Sequence, residues 1–529
     1  MKFFLNKWAL CFLVLLIGLC HSCAPKEEVI KGPAEQAKAI KEKPIEIKPV
    51  ETKPAPAQEK PKEQPVVEKP AGPSTVVGKI GDYVVTKGEL EKKLTNELRI
   101  NPDEYMKEDG TVNTKAVLLK MIAEKAMIIE ARNKNYLEDK SIKSRLKQFK
   151  EKILVNSLLR AELEKKIKVT ESEIDEMIKS KPKLNRGQAK ATLERSKAGR
   201  LINRFYSELL KKLHVEKVSA NFAKVARIHQ RLLLQPKEPR KLQFIRRTQI
   251  EKELTPEERN IVLAKFDGGK VTLEDWLSIL CQHYSPPSRP KDLNTVKGVE
   301  KFLDGVMRTP VFVAEAKLRG LDKDENFVRQ VRNEEDKTLL RKVISTKYGE
   351  IKKPTKEEII PYFNKNKEKF RTPEELKIDQ IWCQDLKTAQ KVKDELSSGK
   401  DFKSAKQQYS LAKKEKVSTT SASREGIFFE KLWNSEPNEI VGPVKGFHFE
   451  RKQRQGTWQV KWRIVKIMQK KQGREKEEYS SSMEEQVKNR MRSEQREAVL
   501  VRHKKQLLEK YSYDIYSETI KHINPLNIP

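Results

Sequence analysis

The chain has 529 residues and carries 110 Lys or Arg against 76 Asp or Glu, which gives a formal net charge of +34. This length suits two or three folded domains, and the charge favours an anionic partner such as lipid or an acidic unfolded polypeptide. The seven histidines form no HExxH pattern and have no Cys-x-x-Cys pair beside them. We therefore expect no metal site.

The first 23 residues predict an export signal. Lys2 and Lys7 precede an apolar run over 9–19, which is too short to remain in a bilayer as a spanning helix. Cys23 follows a serine at the place where a bacterial lipoprotein signal is cut and lipidated, whereas Cys20 follows a bulky leucine. We expect lipidation at Cys23 and a periplasm-facing location in the cell envelope, with the anchoring membrane left open. An ordinary signal peptide cleaved nearby is the alternative.

Residues 24–75 predict a disordered tether. They contain ten prolines, repeated Lys-Pro pairs and no aromatic residue, so they cannot bury a core. At ~3.1 Å per residue in polyproline geometry, such a segment reaches on the order of 150 Å as an upper limit. It would let a folded body act well away from its membrane.

The rest of the chain contains a duplication. From Glu130 onward the second copy follows the first at a constant offset of 185 residues, as from Glu130 to Glu315. Apolar stripes over 118–129 and 142–153 predict amphipathic helices, and a Thr-x-x-Glu capping box predicts the start of another helix in each copy. The repeated segments are 85–90 and 271–276, 130–132 and 315–317, and 170–174 and 355–359.

The duplication predicts a mainly helical α+β protein built from two related modules. The first module covers 76–218 and ends in a strand, and a connector over 219–262 follows it. The second module covers 263–371 plus 473–520, and it also ends in a strand. Residues 372–472 interrupt the second module. We interpret them as a domain inserted at a surface loop, where insertions are best tolerated.

Two patterns together resemble the SurA/PrsA-type envelope foldases. The sequence Gly-Asp-Tyr-Val-Val-Thr-Lys-Gly-Glu-Leu at 81–90 is followed by a helix containing Glu-Ala-Arg at 130–132, and then by Val-Thr-Glu-Ser-Glu-Ile at 169–174. This order is similar to the N-terminal region of that family. The resemblance implies a helical chaperone domain paired with a parvulin-type peptidyl-prolyl isomerase domain.

The inserted segment resembles that parvulin domain. It is read as a first strand over 376–383, then helices, then closing strands. Tyr409-Ser410, Phe429-Glu430-Lys431 and the run over 437–445 are similar to parvulin motifs. The last of these, Pro-Asn-Glu-Ile-Val-Gly-Pro-Val-Lys, is the most specific signal in the chain.

The resemblance also implies where catalysis would occur. Parvulins lower the rotational barrier of a prolyl bond with an apolar pocket beside two histidines and a Cys or Asp. Here the first histidine position is Gln380, and the Cys/Asp region reads Leu411-Ala412. Trp458 fits the second histidine position, with His448 as the alternative. We therefore expect isomerase activity to be weak or absent.

Four apolar residues are candidates for a peptide-binding pocket. Phe402, Phe429, Leu432 and Trp433 could line the proline pocket implied by the resemblance, and their alternative role is domain core. Two cysteines lie in the predicted folded body, Cys281 and Cys383, and we expect them to be free thiols because they form no disulfide framework.

The sequence thus favours a lipid-tethered envelope chaperone that binds unfolded exported polypeptides. Without a phosphate-binding loop it would act without nucleotide or other cofactor, and we expect no nucleic-acid partner. One alternative is an active prolyl isomerase that uses His448. Another is a basic structural envelope protein that binds anionic lipid or polymer, and the charge is also compatible with solvated helix faces alone. The clients and the oligomeric state stay open.

Overall fold

The structure is a computed structural model that describes residues 72–107, 109–164, 166–237, 244–285, 288–452 and 455–528. The predicted signal peptide, its Cys23 and nearly all of the tether lie outside these residues. Within them the chain is mainly helical with three small antiparallel sheets, as the sequence predicted. It forms two compact units, one over 140–335 and one that combines 72–139 with 336–528.

The elements up to residue 349 are mostly helices. The strands are β1 (Val76–Ile80), β2 (Tyr83–Thr86), β3 (Glu216–Lys217), β4 (Val262–Phe266) and β5 (Gly269–Thr272). The helices are α1 (Lys87–Ile100), α2 (Pro102–Tyr105), α3 (Thr114–Asn133), α4 (Lys140–Leu163), α5 (Glu171–Ser180), α6 (Arg186–Lys212), α7 (Phe222–Leu234), α8 (Arg247–Glu253), α9 (Pro256–Arg259), α10 (Leu273–His283), α11 (Val296–Val306), α12 (Arg308–Leu318) and α13 (Glu325–Gly349).

The remaining elements include the longest strands. The strands are β6 (Glu375–Cys383), β7 (Ser418–Ser421), β8 (Ile440–Lys452), β9 (Gln455–Lys471) and β10 (Tyr513–Ile515). The helices are α14 (Lys356–Lys365), α15 (Leu386–Ser397), α16 (Phe402–Tyr409), α17 (Ala422–Glu425), α18 (Phe429–Trp433), α19 (Glu484–Lys510) and α20 (Ser517–Ile520).

Both predicted capping boxes are present. The Thr170 hydroxyl accepts a hydrogen bond from the Glu173 backbone N–H at 3.3 Å, and the Glu173 carboxylate accepts from the Thr170 N–H at 2.8 Å. Thr355 and Glu358 form the same box at the start of α14. Each box satisfies N–H groups that have no partner within the helix, which is why α5 and α14 begin there.

In the unit over 140–335, the sheet joins strands from both sequence copies. The order is β3-β4-β5, with Glu216 opposite Lys265. Thus the strand that ends the first copy pairs with the hairpin that opens the second. The unit packs around a large apolar core that contains the fully buried Trp276.

The other unit shows the reciprocal pairing. Its sheet has the order β10-β1-β2, with Gly78 opposite Ile515, so the strand near the C-terminus extends the first hairpin of the chain. Ile520 and Ile523 follow β10 and are buried in the core formed by α1 and α3. Both predicted closing strands exist, but each pairs with the other copy's hairpin, and the boundaries of the compact units fall inside the predicted modules.

The segment predicted as an insertion forms a four-stranded antiparallel sheet of order β7-β6-β9-β8. One face packs on α15 and α16 through a core that includes Ile381 and Ile464. The opposite face packs on α18. The order of strand, helices and closing strands matches the expectation from sequence.

This sheet also joins the core of α1. Phe447 and Val460 are buried with Leu94 and Leu98 of that helix. Gly426, with a φ of 53°, fits against α1 because a Cβ there would lie 2.7 Å from the Leu98 carbonyl oxygen. The segment is therefore packed into its unit and shares a core with the helices around it.

Two further observations bear on the sequence expectations. Cys281 and Cys383 are both free, as predicted, and Cys383 is buried. Over the residues that the structure describes, no helix combines the length and apolar character needed to cross a membrane.

Candidate functional site

A buried polar network lies on the face of the sheet opposite α15 and α16. The Gln380 side-chain oxygen accepts a hydrogen bond from Arg463 Nη1 at 2.8 Å, and Arg463 Nη2 donates to Glu425 at 2.6 Å. The Thr420 hydroxyl donates to the second Glu425 oxygen at 2.6 Å. All four side chains are buried, and Arg463 is only 1% exposed. The Arg463 charge is therefore buried away from water, and the Glu425 carboxylate balances it.

Backbone geometry places these groups together. β6 and β9 are antiparallel, with Gln380 opposite Val465, so Arg463 lies on the same face at the diagonal position. Room for the guanidinium comes from Gly446 on β8, since a Cβ there would lie 2.3 Å from Arg463 Nε. Gly446 is thus required by the close approach of a buried side chain.

Glu415 ties the network to Trp382. Its carboxylate accepts hydrogen bonds from the Gln380 amide at 3.1 Å and from the Trp382 indole N–H at 3.0 Å. The Arg463 guanidinium lies 4.9 Å from the centre of the Trp382 ring, a cation–π distance. Both carboxylate oxygens of Glu415 and both amide atoms of Gln380 therefore bond to groups within the network.

The ionisation of the network is set by the pair at its centre. Burial by itself would raise the pKa of the Glu425 carboxyl, but the Arg463 guanidinium and the Thr420 hydroxyl outweigh it and hold the pKa below its usual range. Glu425 and Arg463 are therefore both charged at neutral pH. Both Glu425 oxygens and both terminal nitrogens of Arg463 are hydrogen-bonded, and among the described residues only Arg463 Nε lacks a partner in this pair. A buried pair held in this way has little capacity to take up or release a proton during a reaction.

His448 borders this network. Its ring centre lies 4.9 Å from that of Trp382. Burial lowers the pKa of the His448 imidazole, and the carboxylates of Glu415 and Glu450 oppose this effect without cancelling it. His448 is therefore a neutral imidazole near pH 7.

The structure brings together Gln380 and His448, two of the three predicted catalytic positions, because both contact the Trp382–Glu415 pair. It places Trp458 elsewhere. The Trp458 ring lies under the Arg99 guanidinium of α1 at 4.5 Å and packs with the helical core of its unit. Arg463, and not Trp458, is the β9 residue that bonds to Gln380.

The predicted pocket residues are divided between two faces of the sheet. Phe402 is buried on the α15–α16 side, as the core alternative expected. Phe429 and Leu432 are buried in the core on the opposite side. Trp433 stacks on Phe429 with ring centres 5.7 Å apart and remains partly exposed. Of the four, Trp433 has the most surface available to a ligand.

Sequence reasoning missed Arg463, Glu425 and Glu415. The usable signal for Arg463 was weak: it lies between Trp462 and Ile464 in a strand that also contains the half-buried Lys461 and Lys466. In a chain this rich in lysine, a further basic residue in a strand is expected to face solvent, so the sequence did not predict that Arg463 would be buried. Glu415 belongs to no motif that the sequence analysis identified.

No protein-family model and no curated protein matches the chain. Matches were found among solved structures. A structure from Campylobacter jejuni, described among the SurA-like chaperones PEB4 and Cj1289, is 13% identical, covers 48% of this chain and 98% of its own, and gives a TM-score of 0.23. The peptidylprolyl isomerase PrsA of Bacillus cereus is 18% identical over 39% of this chain and 79% of its own, with a TM-score of 0.19.

A third match is PrsA from Bacillus anthracis, at 13% identity over 37% of this chain and 86% of its own, with a TM-score of 0.20. These matches lie in the same group of proteins that the sequence motifs resemble. With identities and TM-scores this low, they carry no conclusion about what this chain binds or does.

Proposed function

We propose that this protein is a cell-envelope chaperone that holds unfolded exported polypeptides, and that its parvulin-like segment binds without catalysing prolyl isomerisation. The observation that carries the second part is the buried Arg463–Glu425 pair bonded to Gln380. The family resemblance implies a catalytic polar cluster at the Gln380 position, and here its hydrogen-bonding groups are bonded to one another.

The physical reason concerns the transition state. Isomerisation is accelerated only by interactions that are stronger with the twisted amide than with the planar one. A donor that already serves a buried carboxylate would have to break that bond first, at a cost of about 1–3 kcal/mol for the group left unpaired. Apolar surface such as that of Trp433 can still hold a prolyl segment in either isomer.

A second candidate function is an active prolyl isomerase. It is favoured by one observation, the position of His448 against Trp382 and beside the Glu415 carboxylate. In this case the neutral imidazole would contact the prolyl segment directly, and the Arg463 network would only support the strand. The two functions therefore differ in what His448 contributes.

The two candidates are separated by paired assays on the mature chain. We expect the protein to suppress light scattering from an unfolded acidic protein and to leave cis–trans exchange of a proline tetrapeptide near its uncatalysed rate. His448→Ala should change neither result, because His448 makes no bond to the Arg463 pair. A fast isomerase rate that His448→Ala abolishes would establish the enzyme instead. Binding lost in moderate salt, with no preference for unfolded protein, would favour the basic structural protein.

We also propose that Cys23 carries the lipid anchor. Cys23→Ser should move the protein from the membrane to the soluble fraction or block its processing, because the acylated thiol is removed. Cys20→Ser is the matched control and should leave membrane association unchanged. Fractionation of cells followed by immunoblotting measures both, and normal membrane partitioning of Cys23→Ser would contradict the assignment.

A further inference from the structure

A groove with apolar walls lies in the unit that combines 72–139 with 336–528. It has a volume of about 630 Å³, and its walls come from α2, α3, α13 and α19. Apolar or aromatic side chains that line it include Tyr105, Leu119, Tyr348, Leu500 and Leu508. Val501, on the same wall, is 61% exposed, so part of the apolar surface is open to solvent.

The lysines in this groove differ in their partners. Lys120 Nζ donates to Glu97 at 3.0 Å and to the Tyr105 hydroxyl at 3.0 Å, so its charge is satisfied. Lys504 is half-buried among the same groups, yet across the described chain it has no hydrogen bond or ion pair. Burial lowers the pKa of the Lys504 ammonium, and the nearby Lys120 and Lys93 act in the same direction, whereas the Glu124 and Glu97 carboxylates oppose this effect without cancelling it.

An amine in this situation gains from an added carboxylate. It has already lost part of its hydration, so an ion pair formed there costs less additional desolvation than one formed at an exposed lysine. With Lys504 included, the charged side chains that line the groove sum to a small positive charge. The charged side chains that line it are Lys120, Arg496, Lys504 and Lys505 on the basic side and Glu104 and Glu497 on the acidic side.

We propose that this groove binds a segment of unfolded polypeptide in which a carboxylate side chain lies between apolar residues, with the carboxylate paired to Lys504. This inference rests on the proposed chaperone function. The groove would be a surface that binds client polypeptides, and Lys504 would select segments that carry a carboxylate. Charge complementarity decides the occupant. The chain's own segment over 24–71 has ten lysines and nine glutamates and includes Ile45-Glu46-Ile47, so it is the competing occupant. Tighter binding of the glutamate peptide by Glu46→Gln would show that this segment occupies the groove instead.

The first test is peptide binding by the mature, full-length chain. The probe is a short fluorescein-labelled peptide of alternating leucine and glutamate, compared with the same peptide carrying glutamine in place of glutamate. Lys504→Met should weaken binding of the glutamate peptide roughly tenfold and leave the glutamine peptide unchanged, as expected for loss of one charge-assisted bond. Arg502→Gln removes a charge from an exposed position of the same helix outside the groove lining, and it should change neither.

A second variant tests the groove without removing the lysine. Val501→Asp places a carboxylate one helical turn from Lys504, where it can pair with the ammonium and repel an acidic ligand. Because Val501 is largely exposed, the fold should tolerate the change. Circular dichroism should be unaltered, and affinity for the glutamate peptide should again fall about tenfold, to that of the glutamine peptide.

The outcomes distinguish this proposal from the chaperone function itself. If the wild-type chain suppresses aggregation but Lys504→Met and Val501→Asp bind the glutamate peptide like wild type, the groove assignment is overturned and the function stands. If the wild-type chain suppresses no aggregation while it still binds the peptide through Lys504, the function fails and the groove remains a peptide site. Equal affinity of the wild-type chain for both peptides would also overturn the groove assignment.

Discussion

Replacing Glu425 by glutamine should lower the free energy of unfolding of its compact unit by about 3–5 kcal/mol, because the change leaves the Arg463 charge buried without an ionic partner. Glutamine has nearly the same shape as glutamate, so little packing is lost. The Thr420 hydroxyl can still donate to the amide oxygen. Urea denaturation followed by circular dichroism measures the shift in midpoint at constant slope.

The control is the double variant Glu425→Gln/Arg463→Met. It removes both charges and fills the space of the arginine stem with an apolar side chain, so it should be more stable than Glu425→Gln alone. Arg463→Met alone leaves a buried carboxyl, which can take up a proton and so should be tolerated better. If Glu425→Gln costs less than about 1 kcal/mol, the pair is effectively solvated and the argument against catalysis at this site loses its basis.

Acidification should destabilise the unit over 140–335 through His229. This side chain is 6% exposed, packs edge-on against Trp276 with ring centres 5.9 Å apart, and has an unpartnered Nδ1. Burial and then the Arg289 charge lower the pKa of His229 from 6.5 to about 4. Between these two pH values the unfolded chain binds a proton at this residue and the folded chain does not.

Stability must therefore fall as the pH drops from about 6.5 to about 4, and the whole interval corresponds to about 3 kcal/mol of unfolding free energy. His229→Phe keeps an aromatic ring against Trp276 and should remove this part of the pH dependence. Denaturation midpoints at pH 7 and pH 4.5 provide the comparison. The exposed His522, changed to Phe, is the control. An unchanged slope in His229→Phe would show that other groups cause the acid sensitivity.

Local structure was largely predictable from the sequence. The capping boxes at Thr170 and Thr355 involve residues three positions apart, so the pattern and the hydrogen bonds are the same information. The apolar stripes over 118–129 and 142–153 likewise lie within α3 and α4. Helix capping and the apolar face of a helix both depend on residues within one or two helical turns of each other. Such residues are also close in the sequence, so their pattern can be recognised there.

The candidate site was predictable only in part. Gln380 lies near His448, which was the alternative for the second histidine position, because both contact the Trp382–Glu415 pair. Trp458 does not join them, since its side chain points into the α1 core, under Arg99. The Arg463–Glu425 bond connects residues 38 positions apart through a sheet and a short helix, and no spacing rule announces it.

The sequence by itself determined that the chain is basic and mainly helical, and it located the starts of α5 and α14. Tertiary structure alone decided which strand completes which sheet, because short strands such as β3 and β10 carry too few side chains to specify a partner. It also decided that Arg463 is buried and that Lys504 is half-buried without a hydrogen bond or ion pair to any residue that the structure describes. Desolvation of a charge depends on everything packed around it, and that environment exists only once distant segments have come together.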